Sequence, residues 1–183
     1  MELYDDKQLI ALLKNQKTVR KGFEYVVNQY REKLYWQVRR IVLFHEDADD
    51  VIQNAFIKAW NSIDSFHGES KLITWLSRIA INEALDYMRK KKVRLAVSAD
   101  DESFGIANQL MADSYFDGNE TEAQLQEAIS ELPDVQRTVF QLHYFDEMKY
   151  SDISKITGTS EGGLKASYHI AVKKIEDFFR RHD

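Results

Sequence analysis

Hydrophobic positions recur at three- and four-residue spacing along most of the chain, and this predicts helices joined by short turns. Between positions 47 and 92, apolar residues fall at Val51, Ala55 and Ala59 and at Ile52, Phe56 and Trp60. They continue at Leu72, Trp75, Leu76 and Ile79, then at Ala80, Ala84 and Tyr87. Each set is the buried stripe of an amphipathic helix. Upstream, Phe23, Val26, Val27, Tyr30, Leu34, Val38, Ile41 and Val42 predict a long helix over residues 18–43, with Lys21, Glu24, Arg31, Glu32 and Arg39 facing outward and residues 44–46 as the break after it. Asp5 or Asp6 is placed to cap a short helix ending near Leu13. Downstream, Ala123, Leu125, Ala128, Ile129 and Leu132 predict a helix over 122–132. Pro133 suits the first turn of the next helix, which carries Val135, Val139, Phe140, Leu142 and Phe145. A helix from Tyr150, a turn at Gly158, Ser160 as N-cap and a helix through Ile175 then form a helix-turn-helix.

No strand-like alternation interrupts this pattern, so the expected fold class is all-α: two helical domains, the C-terminal one a helix-turn-helix. Trp36, Trp60 and Trp75, at helical spacing, are expected as core anchors. Residues 96–120 read as an acidic linker dotted by Gly105 and Gly118, with a short helix near 106–111 as its candidate element.

Charge changes the picture. The net charge is −5 over 183 residues, which alone argues against nucleic acid. Its distribution argues the other way: Arg89, Lys90, Lys91, Lys92 and Arg94 form one basic cluster, and Lys165, Lys173, Lys174, Arg180 and Arg181 another. No lysine or arginine lies between Arg94 and Arg137, where Asp100, Asp101, Glu102, Asp113, Asp117 and Glu120 stand. Each basic cluster alone reads equally as a solvated helix end; two flanking an acidic gap point to a polyanion. The absence of cysteine excludes disulfides, thiolate zinc sites and thiol nucleophiles. The acidic N-terminus lacks the basic and apolar regions of a signal peptide, and no apolar run approaches a membrane span, so no membrane insertion and a cytoplasmic location are expected. No catalytic set, metal site or cofactor is read from the sequence.

Asp47-Ala48-Asp49-Asp50 carries alternatives. Acidic residues at a helix start are stabilised by unpaired N–H groups and the helix dipole. The same Asp-x-Asp-Asp pattern occurs in class II terpene cyclases, with the middle aspartate as general acid, but no companion base, metal-ligand set or phosphate loop accompanies it here.

The acidic amphipathic helix, the loop Ser65-Phe66-His67-Gly68-Glu69-Ser70 and the aromatic helix ending in a basic run resemble the promoter-melting domain of extracytoplasmic-function (ECF) sigma factors of the sigma-70 family. Leu132-Pro133, Tyr150-x-x-Ile153, Gly158 and Ser160-Glu161-Gly162 through Lys165 and His169 to Lys173-Lys174 resemble the −35-binding domain of the same family. The resemblance implies a non-enzymatic initiation factor with domains at 1–95 and 121–183. Its partners would be core RNA polymerase, through the β′ clamp helices and the β subunit, and promoter DNA, with an anti-sigma factor as a further candidate.

By resemblance, Asp49, Asp50, Gln53 and Asn54 face β′. The 66–70 loop holds a base flipped from the −10 element: Gly68 permits the turn, and Phe66 and His67 stack on the base or, for Phe66, pack inward. Asn82 and Asp86 line the −10 surface, with Arg89, Lys90 and Lys91 on phosphates. Ser160, Glu161, Gly162, Lys165, Ala166, Ser167, His169 and Lys173 form the −35 set. The linker threads toward the polymerase cleft and RNA exit path, or is a solvated spacer. The sequence departs from the family at Ile81, Ser167, Ile170 and Val172, where arginines are frequent, and at Gly163, a usual threonine. Rival readings are a free-standing helix-turn-helix regulator and an all-α enzyme using Asp47, Asp49 and Asp50.

Overall fold

The computed structural model describes residues 4–97, 106–113 and 118–182, which are helical with short connections. The chain divides into two compact units, Met1–Val42 with Glu46–Lys90, and Leu43–His45 with Lys91–Asp183.

In the first unit, α1 (Asp6–Leu13) starts on a capping box: Asp5 Oδ1 accepts from the Gln8 N–H at 2.8 Å and Gln8 Oε1 accepts from the Asp5 N–H at 3.0 Å. It packs against α2 (Val19–Val42), where Gly22 admits it closely; a Cβ on Gly22 would stand 2.8 Å from Leu12 Cβ. Helix α3 (His45–Asn61) buries Ala48, Val51, Ile52, Ala55 and Ala59, and α4 (Leu72–Val97) carries the buried Leu72, Trp75, Leu76, Ala80, Ile81 and Ala84. The stripes were predicted in part: Ala48 and Ile81 join them, while Phe56, Ile79 and Tyr87 are only half-buried, and removing the buried side chains from water is what holds the helices together.

Three expectations need correction. The break after α2 lies at Leu43 and Phe44, so α3 starts at His45; Leu43 takes a left-handed backbone (φ 73°) that ends α2 and turns its side chain into a buried cluster with Leu110 and Ala123. Arg39 is buried, not outward. Trp75 is a core anchor, but Trp36 and Trp60 are 43% and 36% exposed, because each lies at the edge of its stripe; Trp60 instead meets Phe23 edge-on at 5.1 Å. Ile81, where relatives of the expected family carry arginine, is fully buried.

The second unit contains α5 (Ile106–Ala112), α6 (Glu120–Ser130), α7 (Asp134–Phe140), α8 (Tyr150–Thr157) and α9 (Glu161–His182). Asn119 and Glu122 cap α6 reciprocally. Pro133 is the N-cap of α7, one residue ahead of the expected first-turn position. Helix α7 widens into a π-helical turn over residues 141–145 before α8. Ala128, Ile129, Leu132, Phe140, Ala171, Ile175 and Phe178 form the main core. Within the stretch expected as a linker, α5 is a helix with Leu110 buried against Leu43, while residues 98–105 and 114–117, with most of the acidic gap's Asp100, Asp101, Glu102 and Asp117, lie outside the described residues.

Candidate nucleic-acid interface

The helix-turn-helix is built by local signals. Gly158 takes a left-handed backbone (φ 73°), and its N–H donates to Ser154 O, closing α8. Two residues on, Ser160 Oγ accepts from the Gly163 N–H at 3.2 Å and starts α9. A Cβ on Gly163 would lie 3.1 Å from that hydroxyl, so glycine leaves the cap unstrained where a threonine would crowd it. Leu164, Ala171, Ile175 and Phe178 bury one side of α9, leaving Glu161, Gly162, Lys165, Ala166, His169 and Lys173 exposed on the other. Ser167 is half-buried, at the margin of that face.

Lys165 does not stand alone. Its Nζ lies 5.8 Å from the centre of the Tyr150 ring, which stacks on His143 at 4.3 Å, and Tyr168 meets His143 edge-on at 4.8 Å. His143 Nδ1 is 2.8 Å from Met148 O, which fixes the imidazole in the π-helical turn. Burial, then the charge of Tyr168, raises the Tyr150 phenol above its ordinary value. Sequence reading missed this aromatic support, because His143, Tyr150 and Tyr168 lie on three separate elements and no local spacing links them.

In the first unit, a 3₁₀ turn (Ile63–Ser65) leads into the 66–70 loop. Gly68 has φ 81°, the turn expected of it, and His67, Gly68, Glu69 and Ser70 are exposed. Phe66 is a correction: it is 7% exposed with its ring 5.0 Å from that of Trp75, so it anchors the loop and is not free to stack on a base. The loop ends where Asp6 Oδ2 accepts from the Leu72 N–H at 3.0 Å. The other Asp6 oxygen takes the Tyr30 hydroxyl, and burial followed by that bond raises the Tyr30 phenol above its usual value.

Along α4, Asn82, Arg89 and Lys90 are exposed and Asp86 and Lys91 half-exposed. Asp86 pairs with Arg89, and Lys91 lies 5.4 Å from the centre of the Phe44 ring. Glu83, beside Asn82, pairs with Lys58 of α3, a bond that raises the lysine pKa. On α3, Asp50, Gln53 and Asn54 are exposed, and Asp49 is half-exposed with Arg31 at 3.9 Å. These four share one end of the helix, and none turns into the core. Among the described residues no group of His, Asp and Glu side chains is arranged to hold a metal ion, and no helix is long and apolar enough to cross a membrane.

Comparison with known proteins falls on the same two units. Residues 26–94 match the family model for Sigma-70 region 2, and residues 122–175 that for Sigma-70 region 4. The chain is 34% identical to the ECF RNA polymerase sigma factor SigW of Bacillus subtilis, over 87% of this chain and 92% of that one. It is 30% identical to the RNA polymerase sigma-H factor of Pseudomonas aeruginosa, over 93% and 92%, and 31% identical to the ECF RNA polymerase sigma-E factor of Escherichia coli, over 88% of each. Among solved structures it is similar to the sigma factor RpoE in complex with the anti-sigma factor NepR from Bartonella quintana, with a TM-score of 0.69 and 25% identity over 87% of this chain and 98% of that one. CnrH in complex with the cytosolic domain of CnrY shares the fold, with a TM-score of 0.67 and 20% identity over 97% and 99%.

Proposed function

This chain belongs to the ECF sigma factors of the sigma-70 family, and from that premise we propose that it binds core RNA polymerase in the cytoplasm, recognises the −35 and −10 elements of its promoters and melts the −10 element. As a transcription initiation factor it makes and breaks no covalent bond. Opening the duplex is driven by binding: capture of an unstacked base offsets the few kcal/mol of unstacking.

The observation that carries this reading is the one-sided exposure of α9. Lys165, Ala166, His169 and Lys173 stand on the face away from a core of Leu164, Ala171, Ile175 and Phe178, as a helix entering a major groove requires. Residues 121–183 then capture duplex −35 DNA, with Ser160, Glu161, Gly162 and Ser167 at the helix start and margin. Residues 1–95 dock on β′ through Asp49, Asp50, Gln53 and Asn54 and open the −10 element with His67, Gly68 and Asn82. Asp86 sets Arg89 by their ion pair, and Arg89, Lys90 and Lys91 follow phosphates. Residues 96–120, read as a linker, join the two and thread toward the polymerase cleft and RNA exit path. An anti-sigma factor is the further partner we propose, because the similar sigma factor RpoE was captured with the anti-sigma factor NepR.

Mapping the 5′ ends of RNA made in vitro by core polymerase with and without this protein tests the proposal. A new set of start sites sharing two upstream elements is expected. Core polymerase that neither retains the protein in pull-down nor gains start sites would instead establish a free-standing DNA-binding regulator.

A further inference from the structure

The 66–70 loop is supported from below by the first helix of the chain. Asp6 Oδ2 accepts from the N–H of Leu72, the first residue of α4, across 66 residues of sequence. A carboxylate there satisfies an open N–H at the positive end of the helix, fixing where α4 begins and so where the loop must end. Asp6 is itself held, since its other oxygen accepts from the Tyr30 hydroxyl at 3.1 Å. One turn further along α1, Ile10 is the nearest side chain to the turn: its Cδ1 lies 3.9 Å from where a Cβ on Gly68 would stand, and nothing else comes within 4 Å of that point.

From this hydrogen bond and this close approach we infer that α1 is a positioning element for −10 readout, with Asp6 fixing the end of the exposed 67–70 tip and Ile10 backing it in the shape that receives an extruded base. The inference rests on the proposed reading of that loop as a base pocket. Helix α1 lies outside the 26–94 stretch matched to Sigma-70 region 2, so the family match does not assign it this role. The physical motive is ordering cost. A glycine-centred tip of exposed residues has wide backbone freedom, and freezing it on base capture opposes binding. A tip already anchored at Phe66 by Trp75 and at Leu72 by Asp6, with Ile10 the nearest side chain behind Gly68, has met part of that cost on folding.

The test uses full-length protein in holoenzyme on a promoter found by 5′-end mapping. Permanganate reactivity reports opening on the natural promoter and on templates with each −10 base replaced in turn; the ratio is the discrimination. Asp6→Ala is expected to lower the ratio at the captured base about fivefold. Ile10→Val, which removes only Cδ1, should lower it about twofold. Asp6→Asn keeps an acceptor oxygen and should stay near the wild type. Opening reduced in equal proportion on every template, with the ratio kept, would overturn the inference and leave α1 a stabilising helix only. Ile10→Val keeps the outcome decisive should Asp6→Ala melt below the assay temperature. The loop reading is tested apart, by His67→Ala and Gly68→Val. Discrimination surviving both sinks the base pocket and the inference with it; discrimination lost in both but intact in the α1 variants sinks the inference alone.

Discussion

The Tyr87 hydroxyl donates to Asp47 Oδ1 at 2.5 Å, tying the middle of α4 to the first turn of α3. This bond separates the three aspartates of the Asp-x-Asp-Asp pattern. Asp47 is engaged within the fold, Asp49 is half-exposed near Arg31, and Asp50 is exposed. A general acid would need an aspartate in a cavity shielded from water; the middle residue here sits on a helix surface, which leaves the cyclase reading without a site.

The same separation predicts different phenotypes along one helix. Tyr87→Phe should lower stability by about 1 kcal/mol in urea unfolding and leave affinity for core polymerase unchanged. Reversing charge at Asp49 and Asp50 should do the opposite, weakening core binding about tenfold in a pull-down titration. The acidic first turn of α3 is Glu46 and Asp47, so the two reversed residues are not its caps, and circular dichroism should stay native. Normal core binding by the folded double variant would remove the β′ assignment.

Gly22 sets helix propensity against packing. Alanine is favoured by about 1 kcal/mol in a helix interior, yet its Cβ would lie 2.8 Å from Leu12 Cβ and 3.2 Å from the Leu12 carbonyl carbon. Backbone cannot yield as a flexible side chain can, so overpacking wins. Gly22→Ala should destabilise by about 1–3 kcal/mol, read from the urea midpoint, and loosen α1 from α2. A stabilised variant would show that α1 shifts freely.

Much of this architecture was legible because burial by helix faces is periodic. The stripes through Val51, Ala55 and Ala59 and through Ala128, Ile129 and Leu132 follow directly from spacing. Trp36 and Trp60 show where spacing fails: both stand at the edge of a stripe, and helical spacing together with size made them look like anchors. Arg39 is the converse, a charged residue whose position turns it inward. Contacts between distant segments carry no local signal. Asp5 and Asp6 read equally as the cap of the first helix; Asp5 fills that role, while the N–H that Asp6 takes lies on α4. Phe66 could be weighed as stacker or anchor from sequence, and only the Trp75 ring decides between them.

On the recognition helix, Lys165→Ala should weaken promoter binding by the holoenzyme and make its salt dependence shallower by roughly one unit, if the lysine reaches one phosphate. The Tyr150 ring beneath it predicts coupling. Tyr150→Phe keeps the ring and should be silent, whereas Tyr150→Leu should lose affinity in the wild type and far less in a Lys165→Ala background. A coupling of about 0.5–1 kcal/mol in that double-mutant cycle is the expected result. Strict additivity would mean that the ring serves only the fold.

Asn82 tests the division of labour between the two units. It is exposed in mid-α4, where asparagine is mildly unfavourable for a helix, so stability does not explain its presence. A side chain with both donor and acceptor on the helix that follows the 66–70 loop suits an unpaired base, while α9 suits an intact groove. Asn82→Ala should therefore impair opening of duplex promoter, yet recover in part on a template already mismatched across the −10 element. Lys165→Ala should lose affinity equally on both. Permanganate reactivity on the two templates separates these outcomes, and the comparison holds fold stability constant, since helix propensity favours alanine at 82. Equal loss for Asn82→Ala on closed and pre-opened DNA would assign Asn82 to docking rather than to melting.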